Sequence, residues 1–309
     1  MPHPRHGAPG SCAHCPGSHT GELPCLASAT TKARAWLLVE HPGPWAAEIE
    51  DTGGLLAPVA AVVAAARRLG VRPQLIRTPG RRRTVPPLHV YAGWSGDGAP
   101  IWLEHRELAN PGELAELDLA AVAAGTPPGF GAPVTDPLLL VCTNGRRDAC
   151  CALRGRAVVG ALAASHPELL WECTHLGGHR FAANLVCLPH GFYYGDLGLD
   201  EAMSAAAAYH AGDVTLDRLR GRAGRPEPAQ AAEHHIRAHT GVLGVDAVTV
   251  ESVTGGDPDF DVIVAAEERR YRVSVRRSTD PGPCGPGCAE NRQTYLCGPP
   301  TLLNEAALV

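Results

Sequence analysis

LLLVCTNGRRDACC, residues 138–151, followed by LWECTHLGGHR, residues 170–180, is where the chain concentrates its chemistry. The first stretch opens with four apolar residues followed by Cys142, a pattern that predicts a buried strand over 138–142, with the loop TNGRRDA leading on to Cys150 and Cys151. The second predicts a strand over 170–173 leading into His175 and His179. Two thiols near one strand end and two imidazoles near another form a set of soft and borderline donors, suited to tetrahedral zinc or to an iron–sulfur cluster. The segment from Cys173 to Arg180 is too rich in glycine for a helix, and Gly177 and Gly178 allow the backbone to approach an inorganic core closely.

Working outward, a helix is predicted over 155–165, strands over 182–188 and 192–196, and a helix over 199–210. An equivalent series precedes it: a strand over 35–40, a helix over 54–69, strands over 71–77, 89–94 and 100–104, and a helix over 111–124. The two series share the order βαβββα and read as a degenerate internal duplication. GTPPGFGAPVTDP, residues 125–137, cannot continue a helix and suits a linker between the copies. Beyond residue 226 a helix and three short strands follow, either extending the second sheet or forming an appendage. The expected organisation is an N-terminal Cys/His/Pro/Gly-rich segment over 1–30, a first lobe over 31–125, a second over 126–225 and a C-terminal α+β extension over 226–309.

Composition narrows the function. The 309 residues carry a net charge of −5 and are 45% apolar, so no overall basic field attracts nucleic acid. No apolar run is long enough to cross a bilayer, and the first 25 residues, which have no continuous apolar stretch, do not read as a secretory signal. A cytoplasmic address is expected. Eleven cysteines in a reducing compartment point to metal ligands or redox thiols, and the odd number argues against complete disulfide pairing.

At CTNGRRDACC, WECTHLGGHRFAANLVCLP and YYGDL the chain resembles the sucrase/ferredoxin-like family of thioredoxin-like [2Fe–2S] proteins, and the early AWLLVEHPGPW fits the same resemblance. The resemblance implies two tandem thioredoxin-like α/β lobes, the second a ferredoxin domain. It implies a [2Fe–2S] cluster on Cys142, Cys151, His175 and His179, with Cys150 as a substitute for Cys151. Arg147 and Arg180 would then stand in the outer shell, stabilising the cluster's negative charge. The implied activity is one-electron transfer with an unidentified redox protein partner, proton-coupled through the histidine ligands. It belongs to an electron carrier rather than to an enzyme with a substrate of its own.

Two readings from other classes stand beside it. A zinc-stabilised interaction module without redox chemistry uses the same donors. A thiol–disulfide oxidoreductase would use vicinal Cys150 and Cys151, although the Cys-x2-Cys at a helix start that such enzymes use is missing there. Cys12, Cys15 and Cys25, with His14 and His19, and separately Cys284, Cys288 and Cys297, are further metal candidates. Cys173, Cys187 and Trp171 read as core, Arg81 to Arg83 as a solvated turn, and His234, His235 and His239 as a surface group.

Overall fold

The computed structural model describes residues 27–80, 86–178, 181–279 and 293–303. Its first half runs β1 (Ala35–Glu40), α1 (Ala57–Arg68), β2 (Val71–Arg77), β3 (Leu88–Trp94), β4 (Trp102–Leu108), α2 (Leu119–Ala123) and the two-residue β5 (Ala132–Pro133). The second runs β6 (Leu138–Cys142), α3 (Ala149–Ser165), β7 (Leu170–Cys173), β8 (Leu185–Leu188), β9 (Phe192–Tyr194), α4 (Leu199–His210) and β10 (Leu219–Arg222). In each half the first strand lies parallel to the second and antiparallel to the third.

The two halves are not separate lobes. They form one curled ten-stranded sheet in the order β10-β9-β8-β6-β7-β2-β1-β3-β4-β5, which corrects the expectation of two tandem thioredoxin-like domains. The join is β2 against β7, antiparallel, with Ile76 opposite Cys173 and Arg77 opposite Glu172. An Arg77–Glu172 ion pair of 2.6 Å reinforces it.

The alternation of side chains along the strands explains the fusion. Leu37 and Val39 of β1 pack with Val59, Val62 and Val63 of α1, while Leu139 and Val141 of β6 pack with Val158, Val159 and Leu162 of α3. Burying each of these side chains stabilises the fold by about 1.5–3 kcal/mol. The opposite face carries Trp36, Leu38 and Tyr91 from the first half and Leu140, Cys142, Trp171 and Tyr193 from the second, all in one apolar cluster. Apart from the first turn of α3, no described helix contributes to that cluster. Two apolar faces without a helical cover are buried by meeting each other, so the sheet continues across both halves and curls.

Local differences have equally direct causes. The helix expected over 111–124 is a 3-10 turn, Pro111–Glu116, followed by α2, because Asp118 adopts a non-helical conformation and caps α2 by accepting from the N–H groups of Ala120 and Ala121 at 3.0 Å. Helix α3 begins at Ala149 instead of 155. Gly155, the expected first residue, lies inside the helix, and the position needs glycine because a Cβ there would collide with the Cys142 carbonyl oxygen.

The C-terminal strands do not extend the main sheet. After α5 (Glu227–Thr240), strands β11 (Val248–Gly256), β12 (Asp259–Ala266), β13 (Arg269–Thr279), β14 (Gln293–Cys297) and β15 (Thr301–Leu303) form a separate five-stranded antiparallel sheet. It packs Val248, Val262, Val264 and Val273 against Ala231, Ala232 and Ile236 of α5. The other side of α5 is tied to the β10 end of the main sheet. Buried Glu233 accepts from Arg225 at 2.6 Å and Arg237 at 3.1 Å, with Arg222 at 3.9 Å. Burial alone would raise the Glu233 carboxyl, but Arg225, Arg222 and Arg237 bring it down to about 2.

Candidate metal centre

Cys142 ends β6 and is buried, Cys151 lies in the first turn of α3 and is buried, and His175 follows β7 in a half-buried loop. One donor atom from each lies within 4.8 Å of the others, with Cys151 Sγ and His175 Nδ1 3.9 Å apart. Three segments thus deliver three donors to one point.

Each segment has a local reason for its course. Asp148 caps α3 by accepting from the Cys150 N–H at 2.9 Å, which sets Cys151 on the helix's first turn. Asn144 Oδ1 accepts from the N–H groups of Arg146 and Arg147 at 3.2 and 3.3 Å, folding the loop between Cys142 and the helix. Thr143 donates to Glu172 at 2.6 Å, fastening that loop to β7.

The electrostatics favour one thiolate in the pair. Hydrogen bonding from the Cys151 thiol and from His175, helped by the Asn144 backbone, holds Cys142 well below the ordinary thiol range despite its burial. Cys151 is pushed up, chiefly by its bond to Cys142 and by burial. The positive end of the α3 dipole adds to the preference for negative charge here. A metal ion would replace the shared proton and draw both sulfurs into the thiolate form.

The loop carrying His175 is held from two sides by residues that sequence reasoning did not single out. From β2, Arg72 donates to the His175 and Leu176 carbonyls at 3.3 and 2.9 Å, and the Leu75 N–H donates to Thr174 Oγ1 at 3.1 Å. From β10, buried Arg220 donates to the Gly177 carbonyl at 3.3 Å and to Asn184 Oδ1 at 2.6 Å, and Asn184 in turn donates to the Gly178 carbonyl at 3.1 Å. Gly178 has φ +69°, and a Cβ there would overlap the Arg220 guanidinium, so both the turn and the contact need glycine. Strand patterning marks Arg72 only as a strand residue, and Arg220 falls in no predicted element. Nothing in their local sequence announces these contacts.

The family described as Sucrase/ferredoxin-like matches residues 26–221, more than half of the chain. The chain belongs to that family. The matched segment takes in the three donors and nearly all of the ten-stranded sheet, and it stops before α5 and the small sheet. No curated protein and no solved structure matches this member of the Sucrase/ferredoxin-like family.

The remaining expected site residues are placed as follows. A ferredoxin [2Fe–2S] centre takes four protein donors. The described residues bring together three, two cysteines and one histidine, which falls short of a four-ligand ferredoxin site, and the expected thioredoxin-like setting is corrected to a fused ten-stranded sheet. His179 and Arg180 lie outside the described residues, as do Arg81 to Arg83, Cys12, Cys15, Cys25, His14, His19, Cys284 and Cys288. Cys150 is half-exposed beside the cluster, and Arg147 pairs with Glu48 of the first half.

Cys173, Cys187 and Trp171 are buried in the core. Cys297 is half-buried on β14, its thiol pushed up to about 11 by burial. Of the histidines read as a surface group, His239 is exposed, while His234 and His235 are half-buried, with His234 Nε2 3.3 Å from the Leu216 carbonyl. No described helix is long and apolar enough to cross a membrane.

Proposed function

We propose that this protein is a zinc-stabilised interaction module whose single metal ion is held by Cys142, Cys151 and His175, with His179 as the fourth donor. The observation that carries the reading is the mutual approach of three donors to within 4.8 Å. Zn–S bonds of about 2.3 Å and Zn–N bonds of about 2.0–2.1 Å give tetrahedral edges of roughly 3.5–3.8 Å. The 3.9 Å between Cys151 Sγ and His175 Nδ1 is close to such an edge. In a binuclear cluster with cysteine ligands on one iron and histidine ligands on the other, thiolate and imidazole stand further apart than on one ion.

Bound zinc supplies charge neutralisation and a fixed tetrahedral geometry. This chain's own residues do the rest. Asp148 orients the α3 start, Arg72 and Arg220 hold the His175 loop, and the buried sheet face excludes water from the sulfurs. The ion would then bind β6, α3 and the segment after β7 into one rigid corner, where half-exposed Cys150 and the neighbouring arginines face a partner.

Metal and acid-labile sulfide analysis of protein purified without oxygen, with its absorption spectrum, tests this reading. A colourless protein with about one zinc per chain is expected. About two iron and two sulfide per chain, with visible absorption that dithionite bleaches, would replace zinc by an electron-transfer cluster. Protein with neither metal would leave thiol chemistry at the cysteines.

A further inference from the structure

The curled face carries a second group of donors, on the first half of the sheet. On β3 and β4, His89 stands opposite Glu107, and Tyr91 opposite His105. His89, His105 and Glu107 therefore project from the same face of this hairpin. His89 Nδ1 and His105 Nε2 are 2.8 Å apart, and His89 Nδ1 is 3.7 Å from Glu107 Oε1. Both rings are held in place: Trp171 packs edge-on against His89 with centroids 5.3 Å apart, and Tyr91 stacks on His105 at 4.4 Å.

We propose that His89, His105 and Glu107 form a second metal site, taking a divalent ion of borderline softness such as zinc, cobalt or nickel, with water completing its coordination. Two imidazoles on one tetrahedral ion have their nitrogens about 3.3 Å apart, given bonds of about 2.0–2.1 Å. At 2.8 Å the pair shares a proton, and an entering ion displaces it while opening the pair by about half an ångström. Glu107 already lies close to the same edge length from His89, and its exposed side chain is free to turn toward His105. The half-buried histidines and exposed carboxylate leave the ion open to solvent, unlike the buried sulfur site. Imidazole and carboxylate donors with an open position suit a water-bearing ion rather than a closed structural one.

Cobalt(II) titration of the full chain, stripped of metal and kept reduced, tests this inference. Thiolate-bound cobalt shows intense sulfur-to-metal charge-transfer absorption, and an imidazole–carboxylate site does not. The wild type is expected to take up two ions, one without that band. Glu107→Gln and His105→Gln should each lose the second ion and keep the thiolate band. Cys142→Ser with Cys151→Ser should lose the band and keep the second ion. Glu107 is exposed, so its variant reports on binding with the fold intact. A wild type binding one cobalt, fully accounted for by the thiolate band, or a second ion retained in both the Glu107 and His105 variants, would overturn the inference. Failure of the sulfur site shows separately, as absence of the band with the second ion still present.

Discussion

The two halves of the ten-stranded sheet share their element order and strand pairing, yet among the described residues only the second brings together two thiols and an imidazole. Where β6 ends in Cys142, β1 ends in Glu40. Where α3 opens with Asp148 as cap and Cys151 in its first turn, α1 opens with Leu56, which makes no side-chain cap, and Val59, which packs into the core. The backbone plan therefore does not make the sulfur site. A few side chains at the ends of its elements do, while the first half contributes Arg72 and Leu75 as a clamp on the His175 loop.

Removing the feature that most separates the halves should have the largest effect. Cys142→Ser with Cys151→Ser deletes two donors and, with them, about half of the roughly 10–16 kcal/mol that a structural zinc supplies at neutral pH. Chelator competition should show zinc affinity falling more than a thousandfold, and unaltered affinity would remove both cysteines from the site.

The outer edges of the two halves also differ. β5 is two residues long and exposed, whereas β10 is tied to α5 through Glu233 and its arginines. Glu233→Gln leaves buried guanidinium charge uncompensated and should cost about 3–5 kcal/mol in urea unfolding. The pH dependence has a definite sign. Because the Glu233 carboxyl is held down to about 2 from 4.5, its contribution is present above about pH 4.5 and is lost as pH falls toward 2. The wild type should lose that stability on acidification over this window, and the Gln variant should show a correspondingly smaller loss.

Unclasping the halves from each other should have a smaller effect. Arg72→Met keeps the alkyl stem but removes the donors to the His175 and Leu176 carbonyls, so zinc affinity should fall about 10–100-fold with both cysteines intact. Equal affinity would show that the first half does not help to hold the metal. The smallest effect is expected from Cys150→Ser. Cys151 reaches the cluster and Cys150 stands half-exposed beside it, so the same titration should be unchanged. A large loss would exchange their roles.

The local elements and the donor types were legible in the sequence because both depend on near neighbours. Apolar runs ending at Glu40 and Cys142 gave the leading strands of both halves, and the cysteines and His175 stood out by chemistry and spacing. Asp148, a capping residue type, was the available signal that α3 starts six residues before Gly155. Only the tertiary structure shows that Gly155 faces the Cys142 carbonyl and that Cys151 turns inward. It alone shows that Arg72 and Arg220 grip the His175 loop from distant strands. The same is true of the join between β2 and β7. Pairing strands from different halves depends on two apolar faces that no helix covers, and that burial is a property of the assembled surface rather than of any local run of residues.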